Sequence, residues 1–520
     1  MRIMALRVSR REMLRTGACA APGFLRSHGA ATQKQPNILL LMTDQHRADC
    51  IGAAGNRVIK TPHLDHIAKE GALFRNAYST TPTCTPARAA LLTGQSPWRH
   101  GMLGYAAVAE SYPREMPRML RHAGYYTTGI GKMHWTPMRN LHGFHQTILD
   151  EHSPIPHFDL RERKVPHAWR DMSDYESWFQ SQMPGANPYA TGLSWNDHRA
   201  KAYALPEALH PTVWTGETAV RFIHGYSQPE PFFLKVSFIR PHSPYDPPER
   251  FLRQYRDASI PAAVKGDWCG RYSRRSDASN ELWHGELSAE TVRSSRQGYY
   301  GVVTQVDDQI GRILDALQRK RMLDDTLIVM ISDHGDMLGD HNLWRKSYAY
   351  ESSARIPFVV RPPRGFVAGF RGGQTLNHPV EIRDVLPTLL DAAGAAIPDG
   401  MDGRSVLELL RNQKPDWREY IDLEHDVCYS PANHWNALTD GLRKYIFHAP
   451  TGEEQFFDLA QDPQETRNLS SDAARSPELR RWRARMVQHL AERGEPWVVQ
   501  GRLGLRPEAQ RFSPHYPGKR

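Results

Sequence analysis

The chain has 520 residues, of which 40% are hydrophobic and 24% charged, and a formal net charge of +9. That length holds one large domain with a smaller appendage, and the apolar content excludes both a disordered chain and a membrane-embedded one. Seven cationic residues against the single Glu12 place six of the nine positive charges in residues 1–35, so the remainder is close to balanced and nothing marks a nucleic-acid partner.

Ser9-Arg10-Arg11-Glu12-Met13-Leu14 precedes the mildly apolar stretch Thr16 to Leu25. This has the form of a twin-arginine export signal over residues 1–33 and predicts a periplasmic or extracellular protein; a basic leader with no targeting role is the alternative. No later apolar run reaches the roughly 18 residues a spanning helix needs, so no membrane span is predicted. Cysteines at 19, 50, 84, 269 and 428 are scattered, with no zinc-type pair and no disulfide framework.

Asn37 to Met42 is a continuous apolar run, as in a parallel strand buried on both faces, and it ends in Thr43-Asp44-Gln45-His46. Thr81 to Gly94 reads as a loop running into a helix, with Pro86 in its first turn. Tyr125 to Ile130 is a second strand, ending in Gly131-Lys132-Met133-His134. Residues 136–215, rich in His, Trp, Tyr and Pro without a period, are predicted as long loops over the rim of a site. Helices are predicted over Gly216 to His224 and Gly301 to Arg319, the latter with Val302, Val303, Val306, Ile310, Ile313, Leu314 and Leu317 at helical spacing. Strands over Phe232 to Phe238 and Thr326 to Ile331 end in Arg240-Pro241-His242 and Ser332-Asp333-His334-Gly335-Asp336. Beyond about residue 410, Trp435 to Gly441, Lys444 to Phe447 and Gln455 to Leu459 read as short antiparallel strands, followed by a helix over Pro477 to Arg493.

The predicted fold is therefore α/β. A large, mostly parallel sheet sandwiched by helices spans 36–410, a smaller C-terminal α+β subdomain spans 411–500, and 501–520 forms a tail. Four strands deliver charged or imidazole side chains just past their C-terminal ends, where open α/β sheets bind ligands. Asp44 and Asp333 supply carboxylates that suit a hard divalent cation, Gln45 adds a carbonyl oxygen and His334 an imidazole.

Cys84-Thr85-Pro86-Ala87-Arg88, followed by Leu91-Leu92-Thr93-Gly94, resembles the signature of the type I sulfatases of the alkaline phosphatase superfamily. The likeness runs from about Pro36 to Leu469 and includes Asp333 to His341, Tyr350 to Pro357 and Phe457 to Pro463. It implies that Cys84 is oxidised by a formylglycine-generating enzyme to Cα-formylglycine, whose hydrate attacks a sulfate ester. Asp44, Gln45, Cys84, Asp333 and His334 would bind the metal, and Arg88 would hold the attacking oxygen. The resemblance carries Lys132 and Lys346 to the sulfate, His134 to a proton of the formylglycine hydroxyl, and His242 to the leaving group.

Many members have a second Asp at the position of Gln45 and an Asn at that of His334. The departure keeps calcium as the expected metal, makes manganese plausible, and leaves a phosphonate monoester or phosphodiester hydrolase as the alternative activity. A carbohydrate sulfate is favoured over an aryl ester, with Trp135, Trp195, Trp214, Trp435, His425 and His434 expected to line a sugar cleft.

Overall fold

Along the strand Asn37–Asp44 the apolar side chains alternate between two cores: Ile38, Leu40 and Met42 join one, Leu39 and Leu41 the other. A period of two with both faces apolar is what a strand covered by helices on both sides requires. In the computed structural model, which describes residues 34–151, 173–189, 191–411 and 416–518, this strand lies inside an eight-stranded sheet. The twin-arginine reading of residues 1–33 falls outside the described residues.

The strands are β1 (Asn37–Asp44), β2 (Ala72–Phe74), β3 (Ala77–Tyr78), β4 (Tyr126–Gly131), β5 (Gln146–Leu149), β6 (Phe232–Pro241), β7 (Thr326–Ser332), β8 (Phe358–Arg361), β9 (Gln374–Leu376) and β10 (Val380–Glu381). The main sheet runs β5-β4-β6-β1-β7-β8-β2-β9, and β3 pairs with β10 apart from it. Neighbours pair in parallel except where β8 meets β7 and β2. Helices Pro62–Glu70, Pro211–Gly225 and Ala289–Arg319 contribute to one core; Cys84–Thr93, Met116–His122 and Val385–Ala392 contribute to the other.

The described residues between 136 and 215 include regular elements where long loops were expected. They contain the edge strand β5, a helix Asp174–Gln182 and the start of the helix Pro211–Gly225. Ser173 and Glu176 form a capping box at the first of these helices, a signal present in the sequence but masked by its aromatic surroundings. The helix expected from Gly301 begins at Ala289, where the Ser288 side chain caps it.

The C-terminal sheet is an antiparallel meander of β11 (Ile421–His425), β12 (Trp435–Thr439), β13 (Arg443–His448) and β14 (Glu453–Asp458). On one side Leu438, Tyr445, Phe447 and Phe456 pack with Leu479, Trp482, Met486 and Leu490 of the helix Ser476–Leu490. On the other, Leu423, Trp435, Ala437, Ile446 and Phe457 pack with Met337, Leu343, Tyr348 and Tyr350. The subdomain thus braces the segment that follows β7. Near the chain end, the Ser513 amide donates to Gly101 O at 2.8 Å and Tyr516 enters the first core. No helix of the described residues is long and apolar enough to cross a membrane.

Candidate active site

β1 and β7 run side by side to Thr43 and Ser332, so Asp44 and Asp333 emerge together at the same sheet edge. Gln45 then turns the chain with φ 68°, a strained backbone for a residue bearing a Cβ, while its amide donates to Asp333 Oδ1 at 3.1 Å. Cys84 opens the buried helix Cys84–Thr93 opposite these strand ends. A helix N-terminus presents outward N–H groups and positive potential, which favours an anion there.

Ligand atoms of Asp44, Cys84, Asp333 and His334 all lie within 4.8 Å of one another. His334 Nδ1 bonds the carbonyl of Gly335 at 2.9 Å and so carries its proton; Nε2 faces the cluster, 3.2 Å from Cys84 Sγ and 3.5 Å from Asp44 Oδ1. Gln45 Nε2 donates to Asp336 Oδ2 at 2.7 Å, whereas Gln45 Oε1 is buried with no partner. Two carboxylates, a bare amide oxygen and a free imidazole nitrogen are a donor set that fits a divalent cation.

Buried cations compensate the carboxylates. Arg88 donates to Asp333 Oδ2 (3.0 Å), Asp44 Oδ2 (3.3 Å), Lys132 O (2.7 Å) and Ser237 Oγ (3.3 Å). Its guanidinium clamps the two aspartates. Lys132 Nζ bonds Asp44 Oδ2 at 2.6 Å, and Lys346 Nζ lies 3.0 Å from Cys84 Sγ. Burial alone would raise the Asp44 carboxyl, but the charges of Lys132, Lys346 and Arg88 hold it well below the usual range. At Cys84 burial and Asp44 push upward, yet Lys346, His334 and Lys132 lower the thiol.

His134 and His242 flank this centre. His134 sits at φ 63°, held by Glu151, whose Oε1 accepts the amides of Met133 (2.5 Å) and His134 (2.7 Å). Its Nε2 is 3.3 Å from the Tyr105 hydroxyl, and burial with Lys132 and Arg88 keeps the ring neutral. His242 bonds the Ser243 carbonyl through Nδ1 at 2.8 Å and stacks on Trp195, with ring centroids 4.7 Å apart. Burial and Lys346 hold it neutral as well. Lys132 Nζ stands 5.6 Å from the same Trp195 ring.

The expected aromatic cleft is largely absent. Trp135, Trp214, Trp435, His425 and His434 are buried packing residues, and of that set only Trp195 is partly exposed beside the site. Tyr105, Glu151, Arg345 and Tyr429 were not singled out from the sequence. Each comes from a loop or strand end without a local pattern, and only the fold brings it near Cys84.

Comparison with known proteins agrees with this arrangement. The family described as Sulfatase matches residues 36–395, and that described as N-sulphoglucosamine sulphohydrolase, C-terminal, matches residues 339–493. An arylsulfatase of Clostridium perfringens is 37% identical over 473 residues, covering 90% of this chain and 97% of its own. An N-acetylglucosamine-6-O-sulfatase of Bacteroides thetaiotaomicron is 25% identical over 505 residues, covering 85% and 83%. Among solved structures, a phosphonate monoester hydrolase of Agrobacterium radiobacter superposes with TM-score 0.73 at 25% identity, covering 91% of this chain and 99% of that one.

Proposed function

The chain belongs to the sulfatase family and hydrolyses sulfate esters, and on that premise we propose that Cys84, oxidised to Cα-formylglycine, is its nucleophile and that the ester is borne by a carbohydrate. The observation that carries the first part is the position of Cys84 Sγ, 3.0 Å from Lys346 Nζ and 3.2 Å from His334 Nε2. The family implies the formylglycine, made by a formylglycine-generating enzyme, and a divalent metal. Asp44, Asp333, Gln45 through Oε1 and His334 through Nε2 would hold that ion, which supplies positive charge against the sulfate and the attacking oxygen. The oxygen donors favour calcium, and the His334 nitrogen makes manganese its competitor.

The chain's own residues supply the rest. Lys346 and Lys132 are buried ammoniums that neutralise sulfate oxygens in a water-poor setting, where such contacts are strongest. His134, neutral and unpartnered at Nδ1, takes a proton from the nucleophile's hydroxyl. His242 serves the leaving alcohol: a bound sulfate adds the negative charge that raises its proton affinity. The half-exposed Trp195 offers a face on which a sugar ring stacks, and the glucosamine-sulfatase relative supports the carbohydrate reading. The N-terminal twin-arginine pattern supports export from the cytoplasm, with Cys84 oxidised before the folded protein leaves.

The rival is phosphonate or phosphodiester hydrolysis, favoured by the likeness to a phosphonate monoester hydrolase structure. Peptide mass spectrometry across Cys84 tests the nucleophile: an intact thiol in fully active protein overturns it. A panel of sulfated glycans beside an aryl sulfate, and the kcat/KM ratio for sulfate and phosphonate esters of one alcohol, test the substrate. Turnover of the aryl ester alone counts against the carbohydrate reading.

A further inference from the structure

Arg345 precedes Lys346 and takes φ 64°, a left-handed conformation unfavourable to a residue with a Cβ. Its backbone is fixed on both sides. Met337 donates to Arg345 O at 2.6 Å, the Ser347 amide donates to Pro82 O at 2.9 Å, and Trp435 Nε1 donates to Ser347 O at 3.1 Å. The side chain is buried, with the guanidinium 4.3 Å above the centroid of the Tyr429 ring. One of its NH2 groups donates to the Glu281 carbonyl, but Nε is buried without an acceptor. The Tyr429 hydroxyl is likewise buried and unpartnered.

Most buried arginines of the described residues have a carboxylate partner; Arg345 and Arg506 do not, and Arg506 bonds the Asn436 amide oxygen instead. Buried Arg47, Arg88, Arg240, Arg296 and Arg383 each bond a carboxylate, whereas Arg345 pairs with none among the described residues. A guanidinium withdrawn from water without an acid beside it is costly, as is a buried donor with no acceptor. Two such donors, one on Arg345 and one on the ring that its guanidinium covers, adjacent in sequence to the sulfate-binding Lys346, ask for an anionic acceptor. Ser347, two residues beyond Arg345, bonds Thr83 Oγ1 beside Cys84 at 3.0 Å, which sets the Arg345–Ser347 segment against the start of the nucleophile's helix.

We infer that Arg345 and Tyr429 form a second anion subsite, which takes a carboxylate or a further sulfate carried by the leaving group beside the ester being cut. The inference rests on the reading of Cys84 as the reacting centre. It makes the substrate a polyanion, such as a uronic acid sulfate or a multiply sulfated sugar, and a neutral alcohol's ester a poor one.

The test uses the full-length, metal-loaded, formylglycine-bearing enzyme and three phenyl sulfates that differ at the neighbouring ring position: carboxylate, sulfonate and the neutral carboxamide. The wild type is expected to prefer an anionic neighbour by about tenfold or more in kcat/KM, and the carboxylate-to-sulfonate ratio identifies which anion the subsite takes. Arg345→Gln should bring the preference to within about twofold, with Arg345→Lys keeping part of it because a point charge lacks the fork. Tyr429→Phe, which preserves the ring beneath the guanidinium, should lower the preference severalfold. Equal turnover of all three esters by the wild type, or an equal loss on all three in the variants, overturns the subsite and leaves the sulfatase reading intact. No turnover of these esters or of any sulfated glycan, with Cys84 fully oxidised, sinks the reading of the reacting centre instead.

Discussion

Lys346 Nζ lies 3.0 Å from the sulfur of Cys84, across 262 residues of sequence. The contact is made by a loop that both halves of the molecule hold: Ser347 bonds the chain just before the helix Cys84–Thr93, and the subdomain's Asn433 and Trp435 bond the Ser347 carbonyl. The C-terminal sheet therefore takes part in assembling the site, since it fixes the backbone beside a lysine in contact with the nucleophile. Lys346→Met retains the buried volume and removes the charge. It should lower kcat/KM on any sulfate ester by about 10²–10³, the usual cost of deleting one pre-placed cation or donor. Steady-state kinetics with a thermal melt as fold control check this, and wild-type turnover in the variant would take Lys346 out of the mechanism.

Metal removal should inactivate and destabilise together. Ligand atoms of Asp44, Cys84, Asp333 and His334 already lie within 4.8 Å of one another, and Gln45, next to Asp44, keeps a buried Oε1 without a partner. An ion that binds only the native state, at about one hundred times its Kd, adds about 3 kcal/mol of stability. Chelation followed by refilling with calcium or manganese, read by metal analysis, activity and melting temperature, ranks the two ions. His334→Asn exchanges nitrogen for oxygen and should move the ranking towards calcium. Full activity after complete stripping would exclude the metal.

The strands β1, β6 and β7 were legible as largely apolar runs and β4 as a β-prone one, each stopping at a polar cluster, a pattern that buried parallel strands impose on sequence. β11 was not, since Ile421-Asp422-Leu423-Glu424-His425 places charges in a strand. The fold accepts them through remote partners, Asp422 with Arg383 and Glu424 with Arg493. The metal-site aspartates stood next to strand ends and could be read. Arg345, Tyr429 and Glu151 could not, because their meaning lies in a carbonyl, a ring or an amide that the sequence does not place beside them. The tryptophans failed in the opposite sense: a ring that suits a sugar also suits a core, and burial chose the core for Trp135, Trp214 and Trp435.

A buried ionic cluster ties the subdomain to the catalytic loop. Lys444, fully buried on β13, bonds Glu351 Oε1 (2.7 Å), Glu465 Oε1 (2.9 Å) and the Ala349 carbonyl (2.8 Å). Lys444→Met takes the only paired cation from Glu465 among the described residues, leaves Glu351 with Arg355 alone, and should cost about 3–5 kcal/mol. Combining it with Glu351→Gln and Glu465→Gln removes the unpaired charges and should recover much of that loss. Denaturant unfolding of the single and triple variants distinguishes these outcomes, and equal losses in both would show that packing rather than charge dominates.

Buried histidines should weaken the protein in acid, against the opposite contribution of buried carboxyls such as Asp150 and Asp426, which burial pushes up to about 7. His425 on β11 bonds the Asn433 carbonyl through Nδ1 at 3.0 Å and has no partner at Nε2; burial pushes it down from 6.5 to about 4. His100, whose Nε2 is also unpartnered, is pushed down to about 3 by burial and by Arg383. Both folded values lie below the unfolded one, so between them the unfolded chain binds more protons and stability rises with pH. The contribution is whole above about pH 6.5 and is lost as the pH falls towards 4 and then 3, at about 1.4 kcal/mol per unit for each ring. Unfolding free energies measured between pH 7 and 4 should fall for the wild type and fall less steeply for His425→Gln, whatever that variant's stability at neutral pH. Parallel curves would show that His425 is not among the groups that set the acid limit.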